Sequence, residues 1–193
     1  TCALPICAGV KKITGPGTTP VEWVKISGII INRDYFPVLE NAGLLDFEGL
    51  YNYPAGKVAK QIPERKVVSF TLESKGEKRL YYLKRHEAER PDAGCRIRAA
   101  FRGTGASAGV QEFENICEFR KCGLPTVAPV AAGQRRVGFN KYESFLLTES
   151  FEPFISLEKL IRFHPHKLED KKGREYKQKL IEAIALTARK MHA

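Results

Sequence analysis

The 193-residue chain has one methionine, one tryptophan and no long apolar run. Its hydrophobic stretches fall far short of the roughly 18 residues that a spanning helix needs. No basic segment followed by an apolar core opens the chain, so no secretory signal is read there. There is no initiator methionine, and the single one is Met191; the sequence is read as processed, trimmed or a fragment. Cysteine is scarce and odd in number, five in all. Cys117 and Cys122 match no zinc-pair spacing, Cys95 stands alone, and Cys2 and Cys7 lie at the start. An odd count without a framework argues for a reducing compartment. The four histidines pair with no cysteine or carboxylate at ligand spacing, so no metal site is expected. Acidic residues number 22 against 32 basic ones, a net charge of +10. That excess favours a polyanionic partner: nucleotide phosphates, nucleic acid or an anionic membrane surface. No RNA-binding aromatic signature, basic helix-turn-helix or zinc finger is present, so specific nucleic-acid recognition is not expected.

The start matches nothing downstream. Ala3-Leu4-Pro5-Ile6 looks like a translated sequencing adapter, and residues 1–20 are set aside as a disordered or artefactual start, with 8–20 Gly/Pro/Thr-rich and loose. Val21 to Asn32 contains a β-branched run ending in Ile29-Ile30-Ile31, which reads as a strand. Tyr35 to Ala42 reads as a short helix stopped by Gly43, and Leu44 to Tyr51 as another. Lys57–Ile62, Lys66–Leu72 and Arg79–Arg85 form an antiparallel meander with short connections. Arg90 to Gly109 is polar and glycine-rich and reads as a mobile linker. Val110, Phe113, Ile116 and Cys117 recur at helical spacing, which predicts a helix over 108–122 with Gly123 at its C-cap and Pro125 forbidding continuation. Strands are expected near Val127–Ala131 and Ser144–Thr148, joined by a basic turn at Gln134-Arg135-Arg136. Beyond Pro153 the pattern is helical. Ser156 is the expected N-cap of a short helix. A long helix over 169–192 carries a stripe of Tyr176, Leu180, Ile181, Ile184, Ala188 and Met191.

Three strands, a helix, two strands and a hinge before further helices is the order of the small lobe of a protein-kinase-like fold. The predicted class is therefore α+β: an antiparallel sheet plus one helix (21–150), then a hinge and the first helices of a large lobe (151–193, incomplete). The chemistry accounts for the order. A strand lysine reaches the phosphates of ATP, and a helix glutamate holds it extended. Lys84 closes the apolar run Tyr81-Tyr82-Leu83 and shares a strand face with Leu80 and Tyr82. Of the three helix glutamates, Glu112 borders the apolar stripe most closely, Glu114 lies further off and Glu118 faces away. Asn32-Arg33-Asp34 imitates a kinase catalytic loop but precedes the lysine strand, and position 39 is Leu39 where an asparagine is required; Asp34 reads as a turn or cap residue. No glycine loop lies between the first two meander strands, so Lys60, Arg65 or Lys66 is the candidate source of phosphate-binding charge.

The stretches Tyr82-Leu83-Lys84-Arg85-His86, Gln111-Glu112-Phe113-Glu114-Asn115-Ile116, Gly123-Leu124-Pro125-Thr126 with Pro129-Val130-Ala131-Ala132-Gly133, Ser144-Phe145-Leu146-Leu147-Thr148-Glu149, Ile155-Ser156-Leu157-Glu158 and Arg189-Lys190-Met191-His192 together resemble the lipopolysaccharide kinases of the Kdo/WaaP group. The resemblance runs from about residue 21 to the end and includes the missing glycine loop. It implies ATP-dependent transfer of phosphate to an inner-core sugar, heptose or Kdo, of lipopolysaccharide. It maps Lys84 to the nucleotide lysine, Glu112 to its partner and Thr148 to the hinge gatekeeper. Glu149 and Phe151 would supply backbone contacts to adenine. In that family the catalytic aspartate loop follows the Met-His motif, so the catalytic residue and the Mg2+ ligands are expected after Ala193 and the fragment alone is expected to be inactive. The family also implies a peripheral location at the cytoplasmic face of a bacterial inner membrane. The alternatives are a kinase-like protein acting on another small molecule or on protein tyrosine, and a non-catalytic kinase-like binding module.

Overall fold

The computed structural model describes residues 13–15, 18–74, 76–102, 106–124, 126–152, 154, 156–169 and 171–192. The start assigned to an adapter, Pro125, Pro153 and Asp170 lie outside them. The elements run β1 (Ile13–Gly15), β2 (Thr18–Val21), β3 (Trp23–Ile26), β4 (Ile29–Asn32), α1 (Phe36–Asn41), α2 (Phe47–Tyr51), β5 (Lys57–Ile62), β6 (Arg65–Ser74), β7 (Glu77–Glu89), α3 (Ala93–Arg102), α4 (Ala108–Lys121), β8 (Pro129–Gly138), β9 (Lys141–Glu149), α5 (Leu157–Phe163) and α6 (Lys171–His192). They fall into two compact units, Thr1–Ser150 and Phe151–Ala193.

Within the first unit, seven strands form one antiparallel sheet in the order β3-β4-β8-β9-β7-β6-β5. The meander β5-β6-β7 supplies one half, as the short connections predict. The other half is non-local: Ile29, Ile30 and Ile31 pair with Gly133, Ala132 and Ala131. The isoleucine run is buried on both sides, which is why it reads as continuous rather than alternating.

The sheet has two covered faces. On one, Leu83, Tyr81, Phe70, Phe145 and Leu147 meet the residues of α1 and α2, including Leu39, Phe47 and Leu50. On the other, Ile30, Ala132 and Leu146 meet Val110, Phe113, Ile116 and Cys117 of α4. Trp23 joins that second cluster with its ring edge-on to Phe113 at 4.9 Å. Side chains alternate along a strand, so β4, β8 and β9 each feed both clusters, and a slip of one residue there would invert both.

Four sequence expectations need correction. Val21–Asn32 is a hairpin, not one strand: Ser27 and Gly28 turn with φ of 45° and 80°, the pattern of a type I′ turn. The stretch 8–20 contains β1 and most of β2, which pair antiparallel. The supposed linker 90–109 contains α3, whose first turn is capped when the Cys95 N–H donates to Asp92 Oδ1 at 2.8 Å. Gln134, Arg135 and Arg136 lie within β8 rather than in a turn; the turn falls at Phe139-Asn140, where Asn140 takes φ 56°. Arg135 is held there by Glu48 and by Glu143 at 2.7 Å, with its guanidinium 4.9 Å from the Phe47 ring centre.

The kinase decoy at Asn32-Arg33-Asp34 is a 3-10 turn capped by Asn32, whose Oδ1 accepts from the Asp34 N–H at 3.1 Å. Asp34 is thus a turn residue, as expected, and the cap is Asn32. In the second unit, Ser156 caps α5 as expected by accepting from the Lys159 N–H at 3.2 Å. The α6 stripe exists, but Tyr176, Ile181, Ile184 and Met191 are about half exposed.

Candidate nucleotide site

The ladder registers place Lys60, Val67, Lys84, Leu146, Ala132 and Ile30 in one row across five neighbouring strand pairs. Directly cross-strand residues share a face. Leu146, Ala132 and Ile30 lie under α4, so Lys84 points to the α4 side. There its ammonium pairs with Oε1 of Glu112. The two side chains keep 28% and 32% of their surface exposed. The pair is shielded enough for its charges to interact more strongly than a surface pair, yet an incoming anion can still reach it.

Helical geometry selects Glu112. Val110, Phe113 and Cys117 are buried against the sheet, and Glu112 is at the edge of that stripe. Glu118 faces away and pairs with Lys121. Glu114 is half buried elsewhere on the helix. Arg120 and Lys121 in the last turn suit the negative end of the helix dipole. Gly123 takes φ 67°, the left-handed conformation that ends the helix.

The register also sorts the three basic candidates for phosphate binding. Lys60 lies in the row of Lys84, two strands away. Arg65 is opposite His86 in the adjacent row on the same face. Lys66 pairs with Arg85, which pairs in turn with Phe145, whose face is the one under α1 and α2. Lys66 therefore points away from Lys84, and Lys60 and Arg65 point toward it. That face carries three cations, Lys60, Arg65 and Lys84, together with the Glu112 and Glu89 carboxylates, a set able to engage a polyphosphate by charge without a glycine loop.

His86 lies two residues beyond Lys84 and is buried, with no hydrogen-bond partner at Nε2. Burial pushes its pKa down, and Glu89 and Glu112 act in the opposite direction. Its imidazole is therefore neutral in the fold at neutral pH. Sequence reading passed over it because one histidine at a strand end gives no pattern.

Thr148 is buried and pairs with Tyr82, two residues from Lys84 on the same face. Glu149 points the other way. Its carboxylate accepts a hydrogen bond from the Tyr35 hydroxyl and lies 3.6 Å from Arg79. Burial and that bond push the Tyr35 pKa well up. The Glu149 N–H donates to Ala128 O at 3.0 Å, and the Ser150 N–H to Leu80 O at 2.8 Å. Phe151 opens the second unit and is half exposed, with its carbonyl accepting from the Phe154 N–H at 2.9 Å. The structure thus brings Lys84 and Glu112 together and puts Thr148 on their face, while the Glu149 side chain is on the other.

Also missed in the sequence were Glu89, Ser144 and Gln134, which hold the start of α4 to the sheet. They come from three strands, and only register brings them to one place.

A strand lysine paired with a helix glutamate, on an antiparallel sheet followed by helices, is the small-lobe arrangement of a kinase-like fold. The chain belongs to the lipopolysaccharide kinase (Kdo/WaaP) family, whose sequence model matches residues 54–193. Among solved structures, it is similar to WaaP in complex with acyl carrier protein, at 23% identity and a TM-score of 0.45, over 76% of this chain and 54% of that one. The chain therefore spans about half the length of that protein. Comparison with curated proteins finds no match.

Proposed function

We propose that this chain is the ATP-binding part of a kinase that transfers the γ-phosphate of ATP to an inner-core sugar, heptose or Kdo, of lipopolysaccharide. The observation that carries it is the Lys84–Glu112 pair on a cationic sheet face, in a chain of this family. Lys84 would bind the phosphates, Glu112 would hold Lys84 extended, and Lys60 and Arg65 would add charge. Thr148 would line the adenine end, with backbone groups of Glu149 and Phe151 at its edge.

The donor set fits ATP better than it fits Mg2+. Among the described residues, no group of three or more His, Cys, Asp or Glu could hold a metal ion. Asp46 caps α2 and Asp92 caps α3, so neither is placed to activate a hydroxyl beside Lys84. Residues 1–193 alone are proposed to bind nucleotide without transferring phosphate.

The acceptor belongs to the same proposal. Lipopolysaccharide is anionic and membrane-anchored, which suits a chain of net charge +10. Each basic residue near an anionic surface contributes about 1 kcal/mol. Among the described residues no helix is long and apolar enough to cross a membrane. A peripheral place at the cytoplasmic face of the inner membrane follows as part of the proposal.

The test is to incubate the protein encoded by the complete gene with ATP and extracted lipopolysaccharide. ATP-dependent phosphate incorporation that disappears in Lys84→Met supports the reading. Transfer to another acceptor only, or none to any, removes lipopolysaccharide from it.

A further inference from the structure

The first turn of an α-helix leaves backbone N–H groups without partners inside the helix. A serine at the N-cap ordinarily satisfies one of them. Ser107 occupies that position in α4 but does not cap; its hydroxyl donates instead to Gln134 Oε1 at 2.6 Å. The N–H groups at this helix start go to the sheet. Ser107 N–H donates to the same Gln134 oxygen at 3.2 Å, Ala108 N–H to Glu89 Oε1, and Gly109 N–H to Ser144 Oγ at 3.1 Å. Three consecutive N–H groups are thus accepted by side chains of β8, β7 and β9.

Each acceptor is aimed there by the sheet. Gln134, Ser144 and His86 occupy one cross-strand row on the α4 face. Glu89 is three residues beyond His86, and strict alternation would turn it to the opposite face. The ladder slips between them, with His86 opposite Ser144 and Glu89 opposite Tyr142. That bulge adds one residue to β7 and returns Glu89 to the α4 side. Its carboxylate then meets the positive end of the α4 dipole. The approach is close: a Cβ on Gly109 would stand 2.9 Å from Ser144 Oγ and 3.1 Å from the Phe145 backbone.

Glu112 lies three and four residues after Gly109 and Ala108, one turn along the same side of the helix. Fixing the helix start through Ser107, Ala108 and Gly109 together fixes where Glu112 stands. We infer that Glu89, Gln134 and Ser144 are positioning residues: they clamp the start of α4 to the sheet so that Glu112 stays paired with Lys84 before any nucleotide arrives. The inference rests on the nucleotide reading for its purpose, but the clamp itself can be measured without nucleotide.

Gln134→Leu removes the acceptor at nearly constant volume, and Gln134→Glu keeps an acceptor. Acetylation of the Lys84 amino group by acetic anhydride in the ligand-free chain, which goes through the free amine and releases acetate, reports by peptide mass spectrometry whether the pair is held. Gln134→Leu is expected to accelerate acetylation of Lys84 about three- to tenfold and Gln134→Glu less than about twofold, since a conserved acceptor keeps the clamp. Leu50→Ala, in the core on the other face, serves as a control for lost stability and should leave the Lys84 rate unchanged. Glu112→Gln should raise that rate by itself, and adding Gln134→Leu to it should change little, as non-additivity demands of residues acting through one pair.

An unchanged Lys84 rate in Gln134→Leu, an equal rise in Leu50→Ala, or additivity with Glu112→Gln would each overturn the clamp. ATP titration of the same proteins separates the two readings. A clamp seen by acetylation in a chain that binds no ATP would sink the nucleotide reading and leave the clamp standing. Lys84-dependent ATP binding with no clamp signal would do the reverse.

Discussion

Glu149 accepts the Tyr35 hydroxyl proton in a hydrogen bond on the sheet face opposite Lys84. Two adjacent residues, Thr148 and Glu149, therefore serve different sides of the sheet. The first lies on the Lys84 side; the side chain of the second anchors the segment before α1.

It follows that Glu149→Gln should be a stability variant. Loss of the charge-assisted bond to Tyr35 is expected to cost about 1–2 kcal/mol in urea unfolding. ATP affinity should stay within about twofold of the parent, because only the backbone of Glu149 is proposed to face adenine. A loss of affinity greater than the loss of stability would place its carboxylate in the site.

Phosphate charge should be supplied by residues chosen by register. Lys60→Ala and Arg65→Ala are expected to weaken ATP binding about three- to tenfold each, and Lys66→Ala by less than about twofold. All three remove one positive charge, so a pure net-charge effect would weaken them alike. Equal losses, measured by titration calorimetry at moderate salt, would contradict the register argument.

Much of this was legible in the sequence, and the part that was not has a physical cause. The meander from Lys57 to Arg85 shows because its connections are short and its apolar residues alternate. Glu112 could be chosen from three glutamates because a 3.6-residue period fixes which one borders the stripe. Pairing of Ile29–Ile31 with Ala131–Gly133 could not be read, since nothing local ties positions 100 residues apart. The bulge that re-aims Glu89 is invisible for the same reason: it exists only as a mismatch between β7 and β9. The α3 helix was hidden by its flanking glycines and arginines, although Asp92 three residues before Cys95 is a capping spacing. The β8–β9 turn was misplaced because Gln134-Arg135-Arg136 looks solvated, whereas Arg135 lies across Phe47 and between two glutamates.

Burial of His86 ties stability to pH. Its pKa is lowered in the fold, while an unfolded histidine titrates near 6.5. As pH falls through about 6.5 the unfolded chain takes up a proton that the native chain refuses, so stability drops, by at most about 1.4 kcal/mol per pH unit from this group. The loss continues until the native value is reached and then stops. His86→Gln should flatten that part of the profile between pH 7 and pH 5, as read by urea midpoints. An unchanged slope would mean that His86 takes up its proton over the same pH range in the native and unfolded chains.

The cysteines should differ sharply in reactivity. Burial pushes the Cys117 thiol up to about 12, so it carries almost no thiolate at neutral pH. Cys122, one residue beyond α4, is exposed. Maleimide should label Cys122 within minutes in the native protein and Cys117 only after denaturation, as peptide mass spectrometry can show. Native labelling of Cys117 at a comparable rate would mean that α4 opens from the sheet.

The central claim is that the Lys84–Glu112 pair is a nucleotide-phosphate site, and calorimetric titration of ATP into the parent chain and into Lys84→Met tests it most directly. Saturable binding by the parent and a loss of about tenfold or more in Lys84→Met is the predicted result. The melting temperature should move by no more than about 2 °C, because Lys84 is only partly buried. Equal affinity in the two proteins, or no binding by either, would contradict it.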